Sequence, residues 1–305
     1  MELVKCDFSL RDYNRFDSEK RKVYLFEEQN CDILLNDFYT RLLNVIKNRQ
    51  HFPVVRLADG EYQFLLGKNE FNLRKPTKVL LRNLIGELVR KIFKQKFEAR
   101  SKTYTSGVYD TSELGHVKSK YSKCLKHVSA NGVLALYTVI KPDFYTEHYL
   151  PKLWNFFEEQ SIKLNSKNYI PFYFIYIILT NKKYSEIYQD RHVHLITSFD
   201  EFRKLKINKS LISLGVKRIT WTKLSRDKSL FDTLDVDAIP SDVDIIFVGA
   251  GVGKVNIFNQ LCSLSVPIID AGYIFETWQE PHLAHERDYC LPHEEFVSSH
   301  YKPDL

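Results

Sequence analysis

The sequence predicts an α/β fold: a Rossmann-like, mostly parallel sheet with helices on both faces. Three observations predict it. Short, continuous apolar runs recur in the second half of the chain: HVHLITS (192–198), KRITWTK (217–223), VDIIFVGAG (243–251) and VPIIDAG (266–272). Roughly 15 to 20 residues separate each pair, mostly with helical spacing, as in DEFRKLKINKSLISLG and GKVNIFNQLCSLS. Strands buried on both faces read as unbroken apolar runs, and such strands alternating with helices build parallel sheets. Finally, 44% of the 305 residues are hydrophobic and only 11 are Gly and 10 Pro, so a sizeable core is available and a disordered or fibrous chain is excluded.

Taken in order, residues 1–36 are mixed and polar and read as an irregular lead-in. DFYTRLLNVIKNRQ (37–50) has amphipathic helical spacing and is expected to stop before Pro53, with PVVRLA as a short strand behind it. TKVLLRNLIGELVRKIFKQKFEAR (77–100) spaces its apolar residues as a helix and carries Lys78, Arg82, Lys91 and Lys94 opposite them. GVLALYTV (132–139) and FYFIYIIL (172–179) read as buried strands, with the helical KLWNFFEEQSIKL between them. PFYFIYIIL is the longest strongly apolar run and is far short of the roughly 20 residues a membrane helix needs. The catalytic body is expected to span 37–278, as one domain or as two lobes of about 37–140 and 141–278. Residues 279–305 are expected to form a polar tail packed on it; their HLAHE does not match a zinc-protease motif.

Charge and cysteine use narrow the function. Net charge is +6, yet residues 68–126 hold fifteen Lys or Arg against five Asp or Glu, so the remainder is acidic. Such a stretch is either a solvated helix face or a surface for anions. No nucleic acid is expected, because aromatics are not interleaved with these bases in an RNA-binding pattern. A peripheral contact with an anionic membrane is. Five scattered cysteines without a C-x-x-C pair fit a reduced cytoplasm, and the charged N-terminus does not read as a signal peptide.

Two stretches carry chemistry. In DIIFVGAGVGK a strand runs into Gly249, Gly251 and Gly253, then Lys254 and a helix. Such a turn can point N–H groups at phosphates or simply turn tightly. It matches neither G-x-G-x-x-G nor the P-loop, which excludes an ATPase of that class. In VVRLADGEYQF, Asp59 and Glu61 flank Gly60 at a strand end. They could cap a helix, or hold Mg²⁺ or Mn²⁺ with Arg56 as a fork for phosphate.

RLADGE resembles the Arg-x-x-Asp-Gly-Glu signature of the GT-D type glycosyltransferases, a small bacterial group with its own nucleotide-sugar-binding fold. KRITWTK, DIIFVGAGVGK and IIDAGYIFETW follow in the order of that family's later strands, from about residue 40 to residue 278. The resemblance implies a metal-dependent transfer of a sugar from a nucleotide donor, UDP-linked by expectation, to a glycan, glycoprotein or lipid-linked acceptor. It implies Asp59 and Glu61 as the pair that meets Mn²⁺ or Mg²⁺ and the diphosphate; beside them Arg56 and Gly60 are expected at the donor, and Gly249, Gly251, Gly253 and Lys254 are expected to hold either the phosphates or the acceptor. Asp270, Glu276 and Asp110 are the candidates for a general base. The chain departs from the family at GAGVGK, where Gly-Pro-Thr-Ala is usual, and at Tyr273, where His is usual. Two other readings are a pyruvyl or phosphosugar transferase on a Rossmann-like body and a non-enzymatic nucleic-acid-binding module.

Overall fold

The computed structural model describes residues 4–9, 20–58, 61–62, 114–137, 150–226 and 229–280. Its elements in chain order begin with β1 (Val4–Ser9), β2 (Lys20–Leu25), α1 (Cys31–Lys47) and β3 (Phe52–Leu57). After them come α2 (Leu114–Asn131), β4 (Val133–Leu136), α3 (Leu150–Glu159), β5 (Tyr169–Pro171) and α4 (Tyr173–Thr180). The second half holds β6 (His192–Thr197), α5 (Glu201–Ser213), β7 (Arg218–Lys223) and β8 (Ile245–Gly249). It closes with α6 (Lys254–Gln260), β9 (Pro267–Asp270) and α7 (Ile274–Gln279).

Seven strands form one sheet in the order β5-β4-β3-β9-β8-β6-β7, and every pairing in it is parallel. The expected α/β fold class is therefore present. Every residue of β3, β4, β6 and β9 is buried, which is why these strands show no polar alternation. β7 closes one edge and is half-exposed. Crossovers that step in opposite directions along a parallel sheet lie on opposite faces. The β3–α2–β4 and β8–α6–β9 crossovers step one way and the β6–α5–β7 crossover the other, and contacts pair α2 with α6 and α5 with α7. Strands of the first half, β5-β4-β3, and of the second half, β9-β8-β6-β7, lie side by side and meet where β3 pairs with β9.

Three expectations are corrected. The lead-in is not irregular: β1 and β2 pair antiparallel, Val4 opposite Leu25, and Phe8 and Val23 enter the core. The first helix starts at Cys31, not 37, because Asn30 caps it, its side-chain oxygen accepting from the N–H of Asp32 and Ile33. It ends at Lys47, with Arg49 at φ +48°, so Pro53 does not break it and lies inside β3. FYFIYIIL is not a strand. Pro171 ends the three-residue β5, and the run then folds as α4, whose eight residues are all buried. A helix buried all round has no polar face, so its sequence reads like that of a buried strand. The basic helix expected at 77–100 and the tail beyond 280 lie outside the described residues.

Candidate active site at the carboxyl ends of β3 and β9

From β3 the chain steps outward to β4 and β5, while β9 arrives from the other half of the sheet. The β3/β9 pair is thus the junction between the two halves of the sheet, and in open parallel sheets ligands bind in the crevice outside the carboxyl ends of the strands. Four charged side chains meet there.

Arg56, near the end of β3, is 4% exposed. Its Nε donates to the Asp270 carbonyl at 2.7 Å, and its Nη2 reaches Asp270 Oδ1 at 3.2 Å. Its backbone N–H donates to Asp270 Oδ2 at 3.2 Å. The guanidinium carbon lies 4.7 Å from the Tyr176 ring and 5.2 Å from Phe172, so the α4 correction matters here: the helix presents aromatic faces to the cation. Gly272, at φ +45°, is required twice over, since a Cβ there would collide with Arg56 Nη2. Arg56 Nη1 is buried with no hydrogen-bond partner among the described residues.

Lys254, the first residue of α6, is 3% exposed. Its ammonium donates to the Arg56 carbonyl at 2.7 Å and to Asp270 Oδ2 at 2.6 Å, and it is ion-paired with Glu61 Oε1 at 2.7 Å. Glu61 Oε2 accepts from the Ala58 N–H at 2.9 Å while the Tyr62 N–H donates to the Ala58 carbonyl at 2.9 Å. Glu61 therefore folds back onto Ala58 at the end of β3, as the acid of a capping box does. Burial alone would raise the Asp270 carboxyl, but Arg56 and Lys254 beside it hold it below the usual carboxylate value. Burial likewise works against the Arg56 charge, and Asp270 reverses the effect, raising its pKa above the ordinary value.

The glycine turn has packing reasons as well. A Cβ at Gly249 would stand 2.6 Å from the Phe275 ring, and one at Gly253 would collide with Ser229 Oγ. Gly251 takes φ +53°. Tyr121 of α2 donates to the Val252 carbonyl at 3.1 Å, and Lys120 donates to Asn256 Oδ1 at 2.9 Å, so α2 braces the turn.

The structure thus brings together Arg56, Glu61, Lys254 and Asp270. Glu276 stands half-buried on α7, directly after β9. Asp59, Gly60 and Asp110 lie outside the described residues. Among the described residues no group of three or more His, Cys, Asp or Glu could hold a metal ion. The two described carboxylates of the cluster are already neutralised by one ammonium and one guanidinium. Glu61, the described member of the expected metal pair, is ion-paired with Lys254, while its partner Asp59 lies outside the described residues. Phe172, Tyr176 and Gly272 were not among the expected site residues. Gly272 was legible within the IIDAG turn, whereas nothing local marks the two aromatics, which meet Arg56 only through the sheet.

No protein-family model matches the sequence, nor does any curated protein. Three solved structures resemble the fold. One is a new glycosyltransferase (DUF1792) from Streptococcus sanguinis, at 13% identity and a TM-score of 0.46, covering 88% of this chain and 97% of its own. A second, the domain of unknown function 1792 described as having a distinct glycosyltransferase fold, aligns at 10% identity and a TM-score of 0.49, covering 90% and 95%. A selenomethionine-substituted structure of the same domain aligns at 11% identity and a TM-score of 0.46, with 90% and 95% covered.

Proposed function

We propose that the chain is a glycosyltransferase that moves a sugar from a nucleotide-sugar donor, UDP-linked, to a glycan, glycoprotein or lipid-linked acceptor. One observation carries this reading. Residues from three separate stretches of the GT-D resemblance, RLADGE, GAGVGK and IIDAG, converge on one buried cluster at the carboxyl ends of β3 and β9 in a parallel sheet. Nothing about their spacing in the chain demands that convergence.

In the proposed reaction the bond between the sugar's anomeric carbon and the donor phosphate breaks. The diphosphate leaves with the bonding pair, and the acceptor hydroxyl forms the new bond and gives up its proton. The departing diphosphate gains charge, which donors and cations at this end of the sheet are suited to meet. Arg56 Nη1, buried and without an acceptor among the described residues, is a candidate for the anion. Asp270 serves here as a buried counter-ion, 1% exposed and doubly ion-paired, which leaves Glu276 as the general base among the described candidates.

A second reading is a metal-independent pyruvyl or phosphosugar transferase, and the Glu61–Lys254 ion pair at 2.7 Å favours it. Both are tested by one experiment: turnover of a panel of UDP-sugars, with and without Mn²⁺, alongside calorimetric titration of UDP. Metal-stimulated hydrolysis or transfer of a UDP-sugar, lost in Asp59→Ala, supports the first reading. No UDP binding in either condition overturns it, and turnover of a donor that is not a nucleotide sugar, unaffected by EDTA, replaces it with the second.

A further inference from the structure

α5 carries an apolar ridge on its outer face. Phe202 is 66% exposed, Leu205 68% and Ile212 62%. At 100° per residue these three and Lys209 fall within one quadrant of the helix, opposite the buried Ile207, Ser210 and Leu211. Single exposed apolar side chains are ordinary on protein surfaces; three large ones aligned on one helix are not. The inner face is anchored: Ser210 Oγ donates to the Trp278 carbonyl at 2.5 Å, and Lys206 pairs with Glu280 at 3.1 Å. The helix is therefore held in place while its ridge faces outward.

Basic side chains flank the ridge. Residues 199–218 contain six Lys or Arg and two acids, Asp200 and Glu201. Asp200 is used as the N-cap of α5, accepting from the Arg203 N–H at 2.9 Å, and Glu201 pairs with Lys204 at 2.8 Å. Lys209 and Lys217 stand exposed. α5 leaves the carboxyl end of β6, where Thr197 is level with Gly249 of β8 and so lies on the active end of the sheet.

The geometry points to α5 as a membrane-docking helix whose ridge enters the headgroup boundary of an anionic bilayer while its bases meet the lipid phosphates. A convex ridge suits a deformable apolar phase, whereas peptides dock into grooves. A second copy of the chain is disfavoured because a two-fold contact would bring both basic borders face to face. The docking surface stands apart from the transfer reading, since a chain that used no nucleotide sugar would still bind vesicles. It also differs from the basic stretch at 68–126.

The test is co-sedimentation of the full chain with phosphatidylcholine vesicles and with mixed phosphatidylcholine–phosphatidylglycerol vesicles, at low and high salt. Binding to the mixed vesicles is expected, weakening as salt rises. Leu205→Glu and Phe202→Ser are each expected to weaken it about tenfold, with an unchanged urea midpoint because both side chains are exposed. Lys209→Glu with Lys217→Glu should weaken it and reduce its salt dependence. No binding to mixed vesicles at low salt overturns the proposal. So does binding that survives Leu205→Glu and falls only with Lys91→Glu and Lys94→Glu. A dimer in light scattering that Leu205→Glu dissociates, with vesicle binding unchanged, assigns the ridge to self-association and equally overturns it.

Discussion

Arg56 and Asp270, 214 positions apart, are joined by three hydrogen bonds, from the backbone N–H, Nε and Nη2 of Arg56. Both side chains are almost wholly buried, so neither can recover solvation if the other is removed. Arg56→Met is predicted to destabilise the fold by about 3–5 kcal/mol by leaving Asp270 with one cation. Urea denaturation measures it, and a loss under ~1 kcal/mol would contradict the described contacts.

Lys254 has three partners, the Arg56 carbonyl, Asp270 and Glu61, and Glu61 is the one it meets as an ion pair alone. Lys254→Met is therefore predicted to cost more than Glu61→Gln, which keeps the side-chain shape and leaves the ammonium two partners. The expected difference is on the order of 2 kcal/mol. A double-mutant cycle should show strong coupling between the two positions, and additive losses would refute a direct pair.

Gly249→Ala is predicted to destabilise by about 1–3 kcal/mol, because the added methyl meets Phe275, itself packed 5.3 Å from Trp278. Gly251→Val adds a branched side chain at φ +53° and should cost a similar amount. Thermal unfolding reads both. Lost activity in either variant reports on the site only after the melting temperature has been compared.

Acid should weaken the fold through His194. It bridges Thr220 and Thr222 at 2.8 and 2.9 Å, and burial, aided by nearby His192, lowers its pKa from 6.5 to about 4. A depressed histidine stays neutral when folded and protonates when unfolded. Its contribution is complete above pH 6.5 and is lost as pH falls toward about 4. By pH 4 the loss is on the order of 2–3 kcal/mol. His194→Gln should flatten the stability profile across that window, and an unchanged profile would assign the acid sensitivity elsewhere.

The sheet was legible because its strands are buried on both faces, and continuous apolar runs such as those of β8 and β9 have few other uses. α4 was not, because eight buried residues leave no periodicity to read. α1 was placed six residues late because Asn30, its cap, stands outside the apolar pattern that marked 37–50. At the site, the order of motifs named Arg56, Glu61, Lys254 and Asp270, yet pairing them needed the topology. Lys254 follows a glycine turn, where sequence logic suggests a phosphate contact; only the position of α6 beside β3 and β9 shows it reaching two carboxylates.

β9 also has a bearing on synthesis. Among the described residues it is the last strand along the chain, yet it sits between β3 and β8, so it joins two half-sheets the way a keystone closes an arch. Until residue 267 has been made, β3 and β8 each present a bare edge of unpaired backbone groups, and Arg56 has no Asp270 to meet. A chain interrupted before β9 therefore keeps two sticky borders open. A chain truncated at residue 262 is expected to aggregate or be cleaved quickly in pulse proteolysis, while one ending at 280 resists. Equal resistance of the two would show that the half-sheets close without their shared strand.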